Sequence, residues 1–199
     1  MPRVSGLAFI QEALQWPIPP KLTLYVRNPS KLPAGTEVNA RIVKGELSDE
    51  AALASAMDGV DTVVSVLPIA DDLKTVLKLM KVNGVRRIFA LSTPSYFVPG
   101  ETRGWIRSAY LVLPALLIPQ GKAEMVAIAE AVAAEKDLDW TIFRVPNLTE
   151  ASSDLPVYAG LLGPDYTGSL SLSRGSQARW ILKEMEDNAW IKQAPAIGN

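Results

Sequence analysis

Between residues 22 and 145 the chain alternates apolar, β-prone runs with helical patterns, and that alternation leaves few folds open. The runs are Leu22–Val26, Val38–Val43, Val60–Leu67, Val85–Leu91 and Asp139–Val145. Val60–Leu67 is nearly continuous in β-branched residues, the signature of a strand covered on both faces in a parallel sheet. Helical patterns fill the intervals. Ser48-Asp49-Glu50 opens one, with Ser48 the expected N-cap and two acids in the first turn. Asp71–Val82 places Leu73, Val76, Leu77 and Met80 on one face, and Lys122–Glu135 is rich in alanine. Strand–helix–strand alternation predicts an α/β fold, and the right-handed crossover rule predicts parallel neighbours.

The flanks are read the same way. Phe9, Ile10, Ala13 and Leu14 give a short amphipathic helix within Met1–Trp16, ended by Pro17, Pro19 and Pro20. The tail carries a helix over Ser176–Asn188 and a closing segment, Ala194–Gly198. At 199 residues, without internal repeats, the expectation is one domain with a substantial core.

Composition removes several kinds of chemistry. There is no cysteine, hence no disulfide, thiolate nucleophile or cysteine-ligated metal. There is no histidine, which removes the usual general base and most zinc sites. Proton transfer then falls to Lys, Tyr, Asp, Glu or a bound cofactor. A net charge of −1 argues against nucleic acid or an anionic membrane as partner. The most apolar run, Ala109–Ile118, is interrupted by Pro114 and too short to span a bilayer, and no secretion signal opens the chain; the expected location is cytoplasmic.

The first apolar run stops on Arg27-Asn28-Pro29-Ser30-Lys31. In a dinucleotide-binding sheet the end of the second strand meets the adenosine ribose, where an acid would bond a 2′-hydroxyl and an arginine suits a 2′-phosphate. Arg27, with Lys31 four residues on, therefore predicts NADP. The bland alternative is a solvated arginine after a strand.

Five segments then fall in a telling order: Arg27-Asn28-Pro29-Ser30-Lys31-Leu32, Gly45-Glu46-Leu47-Ser48-Asp49, Asp61–Leu67, Gly84-Val85-Arg86-Arg87-Ile88 and Asp139–Pro146. In that order they resemble the NmrA-like, atypical short-chain dehydrogenase/reductase family, especially its fungal NAD(P)-binding branch. The resemblance runs from about residue 6 onward. It implies one Rossmann-like, doubly wound, mainly parallel sheet. Such families open with a strand and a glycine-rich turn, of which this sequence shows only Ser5-Gly6 and the helix after it. The sheet is thus expected to lack its usual first strand, and Gly6 would be the last glycine of the turn.

The same resemblance implies a set of site residues. Arg27, Asn28 and Lys31 would hold the 2′-phosphate. Glu46-Leu47 would border the adenine, although Glu stands where the family has Asp. Leu67-Pro68 would pass under the ribose. Ser92-Thr93 sits where relatives place a catalytic serine, Lys122 resembles the lysine near the nicotinamide, and Arg144-Val145-Pro146 resembles the segment lining that end. Each has a plain structural reading too: strand ends, turn chemistry and an exposed lysine at a helix start. The usual Tyr-x-x-x-Lys pair is absent, because Tyr25, Tyr96, Tyr110, Tyr158 and Tyr166 are followed four places on by Pro, Gly, Pro, Leu and Leu. Tyr96, close behind Ser92, is the alternative proton donor. Trp105, Tyr110, Leu111, Leu113, Leu116 and Leu117 line either an apolar pocket or a packed cap.

Three functions fit these residues: an NADP-dependent oxidoreductase on a small apolar carbonyl or alkene, an NADP-sensing regulator without turnover, or a cofactor-independent isomerase or cyclase on the same fold. The expected partner is a small molecule, and the expected state a monomer or weak homodimer.

Overall fold

The computed structural model describes residues 4–67, 69–102 and 119–199. In chain order its elements are α1 (Val4–Leu14), β1 (Leu22–Val26), a 3-10 turn (Pro29–Lys31), α2 (Thr36–Asn39), β2 (Ala40–Lys44), α3 (Glu50–Ala56), β3 (Thr62–Ser65), α4 (Ala70–Val82), β4 (Arg87–Ser92), α5 (Pro119–Ala133), β5 (Asp139–Arg144), β6 (Asn147–Thr149), β7 (Tyr158–Gly160), β8 (Ser171–Ser173), α6 (Arg174–Asp187) and β9 (Ala196–Gly198). This is the expected α/β, Rossmann-like architecture with mainly parallel pairing. The element boundaries differ in instructive ways. Asp49, not Ser48, caps α3, its carboxylate accepting from the Ala52 N–H at 2.9 Å. A one-turn helix, α2, takes the first two residues of the run expected to be the second strand.

The larger parallel strands fall into two sheets. One pairs β1 with β2, and the other runs β3-β4-β5-β9-β7, with only β7 antiparallel. A third small sheet pairs β6 with β8. Of the short strands β6, β7, β8 and β9, the sequence marks only the region of β9, as a closing segment over Ala194–Gly198. No strand precedes β1 among the described residues, and β1 and β3 each have a single strand neighbour there. The break lies where the expected first strand would sit.

Helices bridge the break. α3 packs on β1, β2 and α4, while α4 packs on α5. The main core fills the space between β3–β5 and this helical layer, with Leu73, Met80, Ile88, Ile128 and Ile142 essentially free of solvent. A second core, built on Phe89, Phe143, Leu172, Ile181 and Ile197, lies on the other face, beneath α6. α1 lies along α6.

Tyr25 is one tie between the β1–β2 part and the rest, beside α3. Its ring packs on the main core and its hydroxyl donates to the Glu46 carbonyl at 2.6 Å. Gly45 permits this, since any Cβ there would overlap the Tyr25 hydroxyl.

Candidate functional site

In parallel sheets, ligands bind outside the carboxyl ends of the strands. At the end of β1, Arg27 is 74% exposed and its Nε lies 4.0 Å from a Glu46 carboxylate oxygen at the end of β2. Lys31 is exposed at the end of the 3-10 turn. Asn28 is not free to reach a ligand through its side-chain oxygen, which accepts from the Ser30 N–H at 3.2 Å and the Ser30 hydroxyl at 2.7 Å. Asn28 thus builds the turn that presents the two cations. Leu47 and Leu67 both pack against the main core, so each serves the interior as well as the strand end.

At the end of β4 the geometry differs from the expectation. Ser92 is fully buried, and its hydroxyl donates to the Met125 carbonyl at 2.8 Å. In this arrangement it ties β4 to α5 and does not face a ligand. Lys122 lies one turn earlier in α5 and is exposed. Thr93 accepts from the Ser95 N–H and, through its carbonyl, from the Tyr96 N–H, forming a turn that leads to Tyr96, whose ring packs against the main core. The Tyr96 phenol is half-buried, and burial pushes its pKa above the ordinary tyrosine value. The nearby Arg144 pulls it down, and Glu130 adds to the rise. It is therefore a neutral hydroxyl, able to donate a hydrogen bond, at any physiological pH. Pro146 is partly exposed between β5 and β6.

Behind Tyr96 lies a buried ion pair. Arg144 ends β5, and neither its side chain nor that of Glu101 has any exposure. The guanidinium donates through Nη2 to Glu101 Oε1 at 2.5 Å and through Nη1 to Oε2 at 2.9 Å. Nη1 also reaches the Tyr96 carbonyl at 3.0 Å, and Nε the Ala194 carbonyl at 2.7 Å. Glu101 accepts in addition from the N–H groups of Leu162 (2.8 Å) and Val98 (3.3 Å). Burial alone would raise the Glu101 pKa, but the Arg144 fork and these N–H donors outweigh it and hold it below the ordinary glutamate value. Arg144 thus stabilises the site from beneath and does not line it. A lone arginine in the apolar run Thr141–Val145 signals a buried partner, because an unpaired internal cation is too costly. Nothing in the sequence singles out Glu101 as that partner.

Residues 5–188 match the family model described as NAD(P)H-binding. The chain belongs to the NAD(P)H-binding family. Its fold is shared with a wide-type short-chain dehydrogenase/reductase from Veillonella parvula solved in complex with NADP, at TM-score 0.82 and 16% identity over 98% of this chain and 90% of that one. ChuY, an anaerobillin reductase from Escherichia coli O157:H7, aligns at TM-score 0.72 and 14% identity, covering 98% of this chain and 91% of its own. A Rossmann-fold NAD(P)-binding protein from Shigella flexneri aligns at 0.71 and 23% identity, over 98% and 88%. Comparison with curated protein sequences finds no match.

The residues of this NAD(P)H-binding chain fit the two ends of a dinucleotide unequally. Arg27 and Lys31, exposed at the β1 end, fit the adenosine side. The diphosphate needs a glycine turn and a helix N-terminus. Gly6 lies inside α1, and a Cβ added to it would meet no atom of the protein within 4 Å. The start of α4 already holds a carboxylate, because the Ala70 N–H donates to Glu124 at 2.8 Å. Among the described residues no diphosphate cradle is assembled. Pro68 and the apolar set Trp105, Tyr110, Leu111, Leu113, Leu116 and Leu117 lie outside the described residues. Within the described residues, no acidic cluster could hold a metal ion, and no helix is long and apolar enough to cross a membrane.

Proposed function

We propose that this NAD(P)H-binding protein is an NADP-dependent oxidoreductase acting on a small apolar carbonyl or alkene. The observation that carries the reading is the exposed Arg27, presented with Lys31 at the end of β1, where a 2′-phosphate separates NADP from NAD. Arg27 and Lys31 would hold that phosphate, Glu46 and Leu47 would border the adenine, and Thr93 and Pro146 would flank the nicotinamide side. When bound, the cofactor supplies the hydride. Tyr96, close behind Ser92 in the chain, would be the group that donates a hydrogen bond to the substrate oxygen. Lys122, exposed at the start of α5, would be a second polar contact. The same reading takes the protein as a cytoplasmic monomer or weak homodimer of the NmrA-like, fungal type.

A non-catalytic NADP sensor is the second reading. Two observations favour it: the Tyr-x-x-x-Lys pair is absent, and the Ser92 hydroxyl is spent on the Met125 carbonyl. The split sheet favours the third, a cofactor-independent isomerase or cyclase.

Titrating NADPH against the chain and its Arg27→Ala variant, by tryptophan fluorescence and thermal shift, tests the first two readings together. Stabilisation that follows mass action and weakens in the variant is expected. A well-folded chain that binds no NADPH overturns both. A screen of carbonyl and alkene substrates for NADPH oxidation then separates turnover from sensing.

A further inference from the structure

Among the described residues the two larger sheets end on four strands, and these edges are not alike. β2 and β7 are the outer ones. β2 carries Arg41 and Lys44, and β7 is 3 residues long; charge and shortness both keep an edge from pairing with another chain. β1 (Leu-Thr-Leu-Tyr-Val) and β3 (Thr-Val-Val-Ser) face the break, and neither contains a charge or a proline. Both sheets superpose together on the wide-type short-chain dehydrogenase/reductase from Veillonella parvula, so the break is a gap within one sheet. In the β1–β2 ladder the Gly45 N–H donates to the Val26 carbonyl. Main-chain groups alternate in direction along a parallel strand. Leu22, Leu24 and Val26 therefore bond to β2, while the N–H and C=O groups of Thr23 and Tyr25 point toward the gap. Along β3, Val63 packs on the main core and Val64 on the second, so the sheet beside the gap is covered on both faces.

We propose that this gap is a docking slot for one strand of another polypeptide, which adds in parallel between β1 and β3. Every described strand is already seated in a sheet, so none of them is left to enter it. An extended segment is the occupant that can meet main-chain groups on both sides. Covered on both faces, it must be a continuous apolar run rich in β-branched residues, 4 or 5 residues long to match β3 and β1. The inference does not depend on which dinucleotide the protein binds.

The probe is a synthetic peptide with the core Val-Ile-Val-Ala-Val between lysine ends, titrated against the whole chain. A control peptide of the same sequence is N-methylated at alternate core residues, which removes its donors along one edge and keeps its apolar surface. Amide exchange by NMR reads β1 directly. The expected result is that the peptide slows exchange of the Thr23 and Tyr25 amides at least about tenfold and raises the unfolding midpoint by about 3 °C or more, and that the methylated control does neither. A nitroxide at the peptide's carboxyl end should broaden the Arg27 amide more than that of Leu22, as parallel addition requires. No effect of the peptide overturns the inference, as does an equal effect of the methylated control, which would mean general apolar adhesion. Broadening strongest at Leu22 overturns it too. So do Thr23 and Tyr25 amides that are already as protected as that of Leu24 without peptide, at any protein concentration, because the gap would then be filled by the chain itself or by a second copy.

Discussion

Leu24 in β1 and Ile142 in β5 are both central aliphatic residues of parallel strands, yet Ile142 is fully buried and Leu24 only half-buried. Every residue of β1 is half-buried, whereas the last four of β5 are buried. β5 has strands on both sides and helices on both faces; β1 has one strand neighbour among the described residues and reaches the core through α3 and Tyr25. The apolar content of a strand does not set its burial. The number of neighbours does, and a parallel strand missing one leaves apolar area in water. The two regions also divide the site: the β1–β2 part carries the cations, and the β4–β5 part carries the ion pair and Tyr96.

The largest effect is expected deep in the β4–β5 part. Glu101→Gln leaves the Arg144 cation buried with half its pairing, and loss of about 3–5 kcal/mol is expected from breaking such a pair. Urea unfolding measures it. The acid side should change as well. Glu101 has a lowered folded pKa, so its contribution is full above the unfolded glutamate value, near 4.3, and is lost as pH falls through the folded value. The parent should lose stability below about pH 4 more steeply than Glu101→Gln, whose amide does not titrate. Parallel acid limbs in the two proteins would remove the pair from the account.

Next comes a matched truncation. Ile142→Ala should cost about 2–5 kcal/mol, as for a fully buried aliphatic side chain, and Leu24→Ala about half of that or less. Equal losses would mean that the two parts form one core. Hydrogen exchange sharpens the same contrast without mutation: amides of β1 and β2 should exchange through a lower-energy opening than those of β4 and β5.

How far these differences could be read in advance depends on the kind of signal. The α/β alternation, α4 and the strand over 139–144 are legible because their periodicity is local. The half-exposure of β3, expected as a strand covered on both faces, is not. Val63 and Val64 carry the pattern of an interior strand, and their exposure follows from a neighbour that the strand itself does not encode. At the site, the cations following β1 are legible because they interrupt an apolar run. Ser92 is misleading, since a serine at a strand end reads the same whether its hydroxyl meets a ligand or the Met125 carbonyl. Glu101 is illegible, because its partner lies 43 residues away in sequence.

The smallest effect on stability, and the largest on binding, is expected at Arg27. Its side chain is 74% exposed, and its one ion pair among the described residues, with a similarly open Glu46, spans 4.0 Å. Such surface pairs contribute about 0–1 kcal/mol, so Arg27→Ala should leave the unfolding midpoint almost unchanged. The same exposure makes the guanidinium available to a phosphate, and a hydrogen bond to a charged group contributes about 1.5–3 kcal/mol. That corresponds to roughly 10- to 100-fold in NADPH affinity, with NADH affinity unaffected because it carries no 2′-phosphate. The contrast should narrow as salt rises, since the site is open and screened. Equal loss of NADPH and NADH affinity would place the effect of Arg27 on the shape of the β1 end, and the two halves of the molecule would no longer divide cofactor selection from the chemistry at Tyr96.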